Sequence, residues 1–178
     1  MQKRRFGRNA ALALVACTAL AGAARGELPG DVAVGARAEV EGRRVGSGLV
    51  MAGEVEVKRA KSGDDEAEGA IEEIDPGARS LRVGGVRVAL APGAPVSSDE
   101  GRALELGQLK PGQKGSAEGT FADGVLRARS LEVEEMKADE AEDVELEGTI
   151  TDADRAQGSF RLLGVTVKVT PQTQVELD

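Results

Sequence analysis

The sequence lacks histidine, tryptophan and tyrosine, and it contains three phenylalanines and one cysteine in 178 residues. General acid–base catalysis by imidazole is therefore excluded, as are nucleophile–histidine pairs and histidine-based zinc or iron sites. Phe121 and Phe160, the aromatic residues beyond the N-terminal segment, are too few for a platform that stacks bases or sugars. We expect a protein that is not an enzyme, with no catalytic residues, no cofactor and no metal centre.

The first 26 residues have the layout of a secretory signal peptide. Their basic start comprises Lys3, Arg4, Arg5 and Arg8. An apolar run from Ala10 to Ala24, "AALALVACTALAGAA", follows without an acidic residue. This run is too short and too rich in alanine for a membrane span. The pattern predicts an exported protein that lies in the periplasm or is lipid-anchored to the cell envelope.

Two kinds of cleavage site fit this segment, and they predict different mature proteins. "LVAC", Leu14 to Cys17, resembles the lipobox of bacterial lipoproteins, in which the cysteine becomes the lipidated first residue. "AGA", Ala21 to Ala23, and "ARG", Ala24 to Gly26, are ordinary signal-peptidase sites with small residues at the two specificity positions. Cys17 is either a lipid anchor or part of the removed segment, so disulfides play no part in the mature protein.

The chain is acidic, with a net charge of −8 that becomes −12 when the four basic residues before Cys17 are removed. Such a polyanion is repelled by nucleic acid and by anionic lipid head groups. Nucleic acid is therefore not an expected partner, and we expect membrane contact only through a lipid anchor at Cys17.

The chain repeats itself in the order B, A, B, A. Residues 68–96, "EGAIEEIDPGARSLRVGGVRVALAPGAPV", align without a gap on residues 147–175, "EGTITDADRAQGSFRLLGVTVKVTPQTQV", and define unit A. Residues 31–57 match residues 108–133, with one residue inserted before Gly48, and define unit B. Charged joints follow both B units, and they are expected to be solvated linkers.

Each unit has the alternation of β-strands. In unit A, "SLRV" and "VRVAL" flank Gly84-Gly85, and the second copy alternates in the same way around Leu163-Gly164. A two-residue connection of this kind is typical of a tight hairpin. The side chains predicted to face the core are Leu81, Val83, Val86, Val88 and Leu90, with Arg82 and Arg87 facing water.

Eight residues are predicted to shape turns and corners. A Glu-Gly pair recurs in every unit at a strand end, where glycine is typical of a bulge or a barrel corner. Aspartate at the start of a β-turn can accept a bond from the turn's own backbone. These structural positions are Gly42, Gly69, Gly119 and Gly148 at the corners, Gly85 and Gly164 in the hairpins, and Asp75 and Asp154 at the β-turns.

Charged clusters offer three candidate sites, each with a simpler structural interpretation. Glu72, Glu73 and Asp75 could ligate a metal, but only Asp75 persists in the second copy, so we interpret Glu72 and Glu73 as the solvent side of a strand. The linker acids lack the regular spacing of a calcium loop; they are Asp64, Asp65, Glu66, Asp139, Glu140, Glu142 and Asp143. A basic patch on the first B unit is interleaved with opposite charges and is interpreted as solvated surface; it comprises Arg37, Arg43, Arg44, Lys58 and Arg59.

These patterns together resemble a bacterial family catalogued as domain of unknown function 5666. The matching elements are Gly69-Ala70-Ile71, the turn at Asp75, Val83 to Val86, Asp31-Val32 to Gly35 and Gly42, and Gly124 to Leu131. The resemblance implies small barrels of the oligonucleotide/oligosaccharide-binding (OB) type, export or lipid anchoring, and no established activity. The chain departs from the family pattern because it starts on a B unit.

The expected fold is all-β, with two small OB-like β-barrels in tandem. Two pairings of the units fit the repeats. Each B unit could close with the A unit that follows it, or the middle A and B units could form one barrel while the flanking units pair. We favour the first, because each barrel then closes between chain neighbours. It predicts barrels over residues 28–100 and 104–178.

The expected function is an exported, non-enzymatic binding or scaffolding module of the bacterial cell envelope. Its partner would be an envelope protein or glycan that the sequence does not identify. A calcium-responsive structural protein that binds ions through its acidic linkers is the alternative. A carboxylate-only enzyme such as a glycosidase is disfavoured, because two small barrels leave little room for a deep cleft with paired acids.

Overall fold

The computed structural model describes residues 28–59, 63–137 and 139–178, and in them the regular structure is almost entirely β. The one helical element of this part of the chain is a short 3₁₀ helix, Leu106–Gln108. The strands are β1 (Arg37–Gly46), β2 (Leu49–Lys58), β3 (Asp65–Asp75), β4 (Ser80–Val83), β5 (Val86–Leu90), β6 (Val96–Ser98), β7 (Lys114–Ala122), β8 (Val125–Glu134), β9 (Asp143–Asp154), β10 (Ser159–Leu162), β11 (Val165–Lys168) and β12 (Gln174–Leu177). The all-β prediction is confirmed. The predicted signal peptide, with Cys17, lies outside the described residues.

The predicted hairpins form at both copies of unit A. β4 and β5 pair antiparallel around Gly84 and Gly85, whose φ angles are +56° and +88°. β10 and β11 pair in the same way around Leu163 and Gly164, with φ of +48° and +79°. Two successive residues with positive φ give the turn whose twist matches that of the flanking strands. Leu163 adopts this conformation although it carries a side chain, and that side chain is buried.

The predicted inward face of this hairpin is the core face. All five of its apolar side chains are buried, with at most 6% of their surface exposed; they are Leu81, Val83, Val86, Val88 and Leu90. Arg87 is exposed and Arg82 half-buried, as the alternation requires. The hydrophobic core continues through the other strands and includes Phe160.

The strand pairings form two closed rings of five strands. The central ring runs β3–β4–β5–β8–β7 and back to β3, so it joins the middle A and B units. The terminal ring runs β1–β2–β11–β10–β9 and back to β1, so it joins the first B unit to the last A unit. In each ring one pair is parallel, β5 with β8 and β2 with β11, and the remaining pairs are antiparallel. β6 and β12 add to β8 and β2.

The favoured pairing of each B unit with the A unit that follows it is therefore wrong, and the other pairing is the one observed. The ranges 28–100 and 104–178 each contain strands of both rings. The short joints after β2 and β8 carry the chain from one ring into the other. The end of β2 lies close to the start of β3, because Arg37 is the strand partner of Lys58 and also contacts Asp65. A short connection is therefore enough to join these two strands.

The rings share one continuous sheet, β2–β1–β9–β3–β7–β8, held at its centre by Arg37. This arginine is 4% exposed, and its Nε and Nη1 lie 3.0 Å from Glu147 and 3.2 Å from Asp65. Its Nη2 donates to the carbonyl of Asp64. Asp65 in turn accepts a 2.6 Å bond from the backbone N–H of Phe121. The Arg37 cluster therefore links β1, β9, β3 and β7, two strands from each ring.

The four Glu-Gly corners divide into two kinds. Gly42 and Gly119 lie at register shifts in the β1–β2 and β7–β8 pairs, the bulges predicted for them. Gly69 and Gly148 do not lie at register shifts but where another chain segment comes close: a Cβ on Gly69 would lie 2.9 Å from the Cα of Gly84, and one on Gly148 would lie 2.8 Å from Leu163. The close backbone requires glycine at Gly69, whereas the contact at Gly148 is with the end of the Leu163 side chain.

Candidate functional site: the acidic sheet face

The outer surface of the shared sheet is built from a short motif, Glu-x-Glu, that recurs on five of its six strands. The motif occurs at Glu54 and Glu56, Glu39 and Glu41, Glu145 and Glu147, Glu66 and Glu68, and Glu132 and Glu134. Because side chains alternate along a strand, both glutamates of each motif face the same side while the residue between them faces the core. That central residue is buried in every case. We call the surface that these glutamates form the acidic face.

Strand register aligns the glutamates into two rows that cross both rings. The Arg37-side row comprises Glu56, Glu39, Glu147, Glu66 and Glu118. The Glu145 row comprises Glu54, Glu41, Glu145, Glu68, Ser116 and Glu132. Like charges placed directly opposite each other destabilise a sheet, so this pattern is one that folding alone does not favour.

Basic side chains neutralise more of the negative charge in the Arg37-side row than in the Glu145 row. In the Arg37-side row, Lys58 lies 2.6 Å from Glu39 and 2.5 Å from Glu56, and Arg37 binds Glu147. Burial on its own lowers the pKa of Lys58, but its bonds to Glu39 and Glu56 outweigh this effect and raise it. The Glu145 row is contacted by Lys114, which lies 2.6 Å from Glu68 and 3.3 Å from Glu134.

Several carboxyls of the face hold their protons more tightly than a glutamate in water. Burial, followed by repulsion from Glu68, Glu39, Glu41 and Glu66, raises the pKa of Glu145 to about 7. Burial is also the largest cause of the raised pKa values of Glu54, Glu66 and Glu132, and neighbouring carboxylates add to it in each case. The face therefore carries a strong negative potential that is partly relieved by proton uptake.

A groove of about 540 Å³ lies on this face where the two rings meet. Its lining includes four glutamates of the Glu145 row, Glu41, Glu54, Glu68 and Glu145. Lys114 and Arg43 stand at the same groove. A concave surface lined with carboxylates attracts cationic groups and excludes anions.

The members of the first acidic cluster identified in the sequence do not come together in one site. Glu72 makes a two-point ion pair with Arg44, with N–O distances of 2.6 and 2.7 Å. Glu73 pairs with Arg82 at 2.6 Å. Asp75 accepts a 2.9 Å bond from the backbone N–H of Ala78, the contact expected of a turn aspartate. Its repeat partner Asp154 makes the same bond to Gln157 at 3.0 Å.

Most linker acids and most residues of the basic patch lie in ion pairs, but of the described residues only Arg37 and Arg43 join the two groups. Arg43 lies 3.1 Å from Glu142 and 3.3 Å from Asp143. Asp64 pairs with Arg129, and Glu140 lies 3.0 Å from Lys137. Of the other linker acids, Asp65 binds Arg37, Glu66 accepts a bond from Ser116, and Asp139 lies in the turn before β9. Of the other basic residues, Arg44 pairs with Glu72, and Lys58 binds Glu39 and Glu56. Arg59 is exposed after β2.

Within the described ranges, no group of three or more acidic or cysteine side chains is placed to hold a metal ion. In the same part of the chain, no helix has the length and apolar character needed to cross a bilayer.

Sequence reasoning missed the acidic face because it searched for acids clustered within a segment. The available signal was the repeated Glu-x-Glu motif, in which the two carboxylates share a strand face. Register then determines that the motifs of β2, β1, β9 and β3 stand side by side, and register depends on which units pair.

The two rings and the sheet that joins them define an all-β repeat protein. The chain belongs to the family described as domain of unknown function (DUF5666), whose model matches residues 68–132 and 147–178. The first match contains β4, β5 and β7 and most of β3 and β8 of the central ring, and the second contains unit A of the terminal ring. Comparison with curated proteins and with solved structures gave no significant match.

Proposed function

We propose that this protein is an exported, non-enzymatic binding module of the cell envelope and that its acidic face binds a cationic partner. The partner would be a basic segment of an envelope protein or a glycan that carries amino groups. We also propose that each ring is a small OB-like barrel, in keeping with the family resemblance. The basic, then apolar, N-terminal segment supports export.

The observation that carries the proposal is the pair of glutamate rows. The Glu145 row crosses six neighbouring strands and the Arg37-side row crosses five. Opposite partners in them are repeatedly glutamate on glutamate, as at Glu54–Glu41 and Glu41–Glu145. A sheet gains nothing from such pairs in isolation. A complementary cationic surface would relieve the repulsion on binding and would steer association over long range.

The test is binding of a lysine-rich peptide of about ten residues to the mature protein, measured by fluorescence anisotropy at low and high salt. A complex formed by opposite charges weakens as salt screens them. We expect binding at low salt that falls at least about tenfold at high salt, and a further loss of about fivefold in a Glu41→Gln/Glu54→Gln variant.

A Glu100→Gln/Glu105→Gln variant is the control, because it removes the same charge from the segment after β6, away from the acidic face. Equal affinities of the two double variants would contradict the proposal, as would binding that does not change with salt. Crosslinking in the native envelope would then identify the physiological partner.

The calcium-responsive alternative has less support from the geometry. The linker acids that would bind the ion are engaged by arginine and lysine, as at Asp64–Arg129 and Glu142–Arg43. Calcium would have to compete with these cations for each carboxylate. Titration calorimetry with calcium, together with melting temperatures with and without the ion, tests this alternative directly.

A further inference from the structure

The contact between β9 and β3 is the hydrogen-bonded joint between the two rings, and it is short. It consists of three opposed residue pairs, Glu66–Glu147, Ala67–Leu146 and Glu68–Glu145. Ala67 and Leu146 are completely buried. The other two pairs place glutamate against glutamate. The joint therefore combines one apolar pair with two pairs of like charge.

Of the two β9 glutamates in these pairs, Glu147 is bound by a cation from the described part of the chain and Glu145 is not. Glu147 is bound by the buried guanidinium of Arg37 at 3.0 Å. Glu145 instead has Glu41 opposite it on β1 and Glu68 opposite it on β3. Three carboxyls in register thus span the joint from one ring to the other.

The charged groups around Glu145 come from every neighbouring element and are mostly acidic. They are Glu39, Glu41 and Arg43 on β1, Glu54 on β2, Glu66 and Glu68 on β3, Lys114 on β7, Glu140 in the turn before β9, and Asp143 and Glu147 on β9 itself. The cations among them have other partners. Lys114 lies between Glu68 and Glu134, and Arg43 binds Glu142 and Asp143.

We propose that the Glu41–Glu145–Glu68 row is a proton-sensitive joint, which holds the two rings together when one of the three carboxyls is protonated and loosens when all three are ionised. A protonated Glu145 can donate a hydrogen bond to a neighbouring carboxylate, whereas three ionised groups in register can only repel. This inference does not depend on the protein having a cationic partner.

The direction of the pH effect follows from the raised pKa of Glu145. Its folded-state pKa is about 7, compared with an ordinary value of 4.5. Between these two values the folded protein keeps a proton that the unfolded chain has released, so the contribution of Glu145 to stability is lost as pH rises through that window. Above pH 7 the contribution stays lost.

The experiment compares the mature protein with Glu145→Gln at constant ionic strength from pH 5 to pH 8. Glutamine keeps the size of the side chain but has no charge to develop. We expect the melting temperature of the wild type to fall by about 3 °C or more across this range and that of the variant to fall much less, so that the variant is the more stable of the two at pH 8. Glu100→Gln, an exposed position in the segment after β6 and away from the acidic face, is the control and should keep the wild-type slope.

Two further measurements separate a joint from a general effect of charge. Carbon-13 NMR of the side-chain carboxyls should show Glu145 titrating near pH 7, and Glu41→Gln should lower that midpoint because it removes one neighbouring charge. The backbone N–H groups of Glu66, Glu68, Glu145 and Glu147 point across the joint, because those of Ala67 and Leu146 point to β7 and β1. Amide exchange at these four glutamates, corrected for intrinsic rates, should be faster at pH 8 than at pH 6. The proposal is overturned if Glu145→Gln keeps the wild-type slope, or if Glu145 titrates at the ordinary value for glutamate.

Discussion

Arg37 shows how one buried charge can connect separate parts of the fold. It lies on β1, binds Glu147 on β9 and Asp65 on β3, and is almost fully buried. A buried ion pair of this kind gives little net stability compared with an apolar contact of the same size, but removing one partner leaves the others uncompensated. Its specific effect is on geometry, because the guanidinium fork fixes the distance between the two rings.

We predict that Arg37→Ala destabilises the protein by about 3 kcal/mol, since Glu147 and Asp65 would remain in a partly desolvated cluster without their cation. Urea denaturation of the mature protein measures the change. Arg43→Ala is the matched control on the same strand, because Arg43 is 62% exposed and its ion pairs with Glu142 and Asp143 lie at the surface. The control should cost at most about 1 kcal/mol. Equal losses of unfolding free energy in the two variants would show that the Arg37 ion pairs contribute no more to stability than pairs at the surface.

Among the secondary-structure elements, the bulges at Gly42 and Gly119 occupy equivalent positions in the two B units. A Cβ on Gly42 would lie 2.5 Å from the carbonyl oxygen of Met51, and one on Gly119 would overlap the carbonyl of Arg127. Both contacts are with backbone, which cannot move aside as a flexible side chain can. Each bulge bends a long strand so that it can take part in closing its ring.

We predict that Gly119→Ala destabilises the protein by about 2–3 kcal/mol, because the new methyl group is forced against the β8 backbone. Gly53→Ala is the control, since a Cβ there would meet the carbonyl of Glu41 at an ordinary 3.6 Å. That control should be neutral or slightly stabilising, because alanine orders a strand at a lower entropic cost than glycine. Thermal unfolding followed by far-UV circular dichroism distinguishes the two outcomes, and a neutral Gly119→Ala would contradict the assigned bulge.

Structural features that depend only on residues close together in the sequence could be predicted. The Gly84-Gly85 turn and the bond that Asp75 accepts from its own turn need only a few consecutive residues, and both were identified. The choice of strand partners could not be made in this way, because each B unit carries the same pattern and fits either A unit. The acidic face depends on that choice, since Glu145 meets Glu41 and Glu68 only when β9 lies between β1 and β3.

For the molecule as a whole, one family unit is continuous and the other is divided. In the central ring unit A precedes unit B, and the continuous family match over residues 68–132 runs through both. The terminal ring has its B strands near the start of the described chain and its A strands near the end. The architecture is that of one domain inserted into a permuted copy of itself. Insertion of this kind is tolerated where the two ends of the inserted unit lie close together.

In the observed arrangement the central ring is inserted between the two halves of the terminal ring, and this predicts which fragments of the chain fold. The tandem arrangement predicts the opposite result. Residues 63–137 contain every strand of the central ring, so we expect this fragment to fold, with a cooperative melting transition and dispersed amide resonances. Residues 28–100 contain β1 and β2 without β9, β10 and β11, and β3 to β5 without β7 and β8, so neither ring can close. Open edges and a half-covered core leave such a fragment aggregated or unfolded. Folding of the 28–100 fragment in place of the central one would restore the tandem pairing and would remove the basis for an acidic face that continues across both rings.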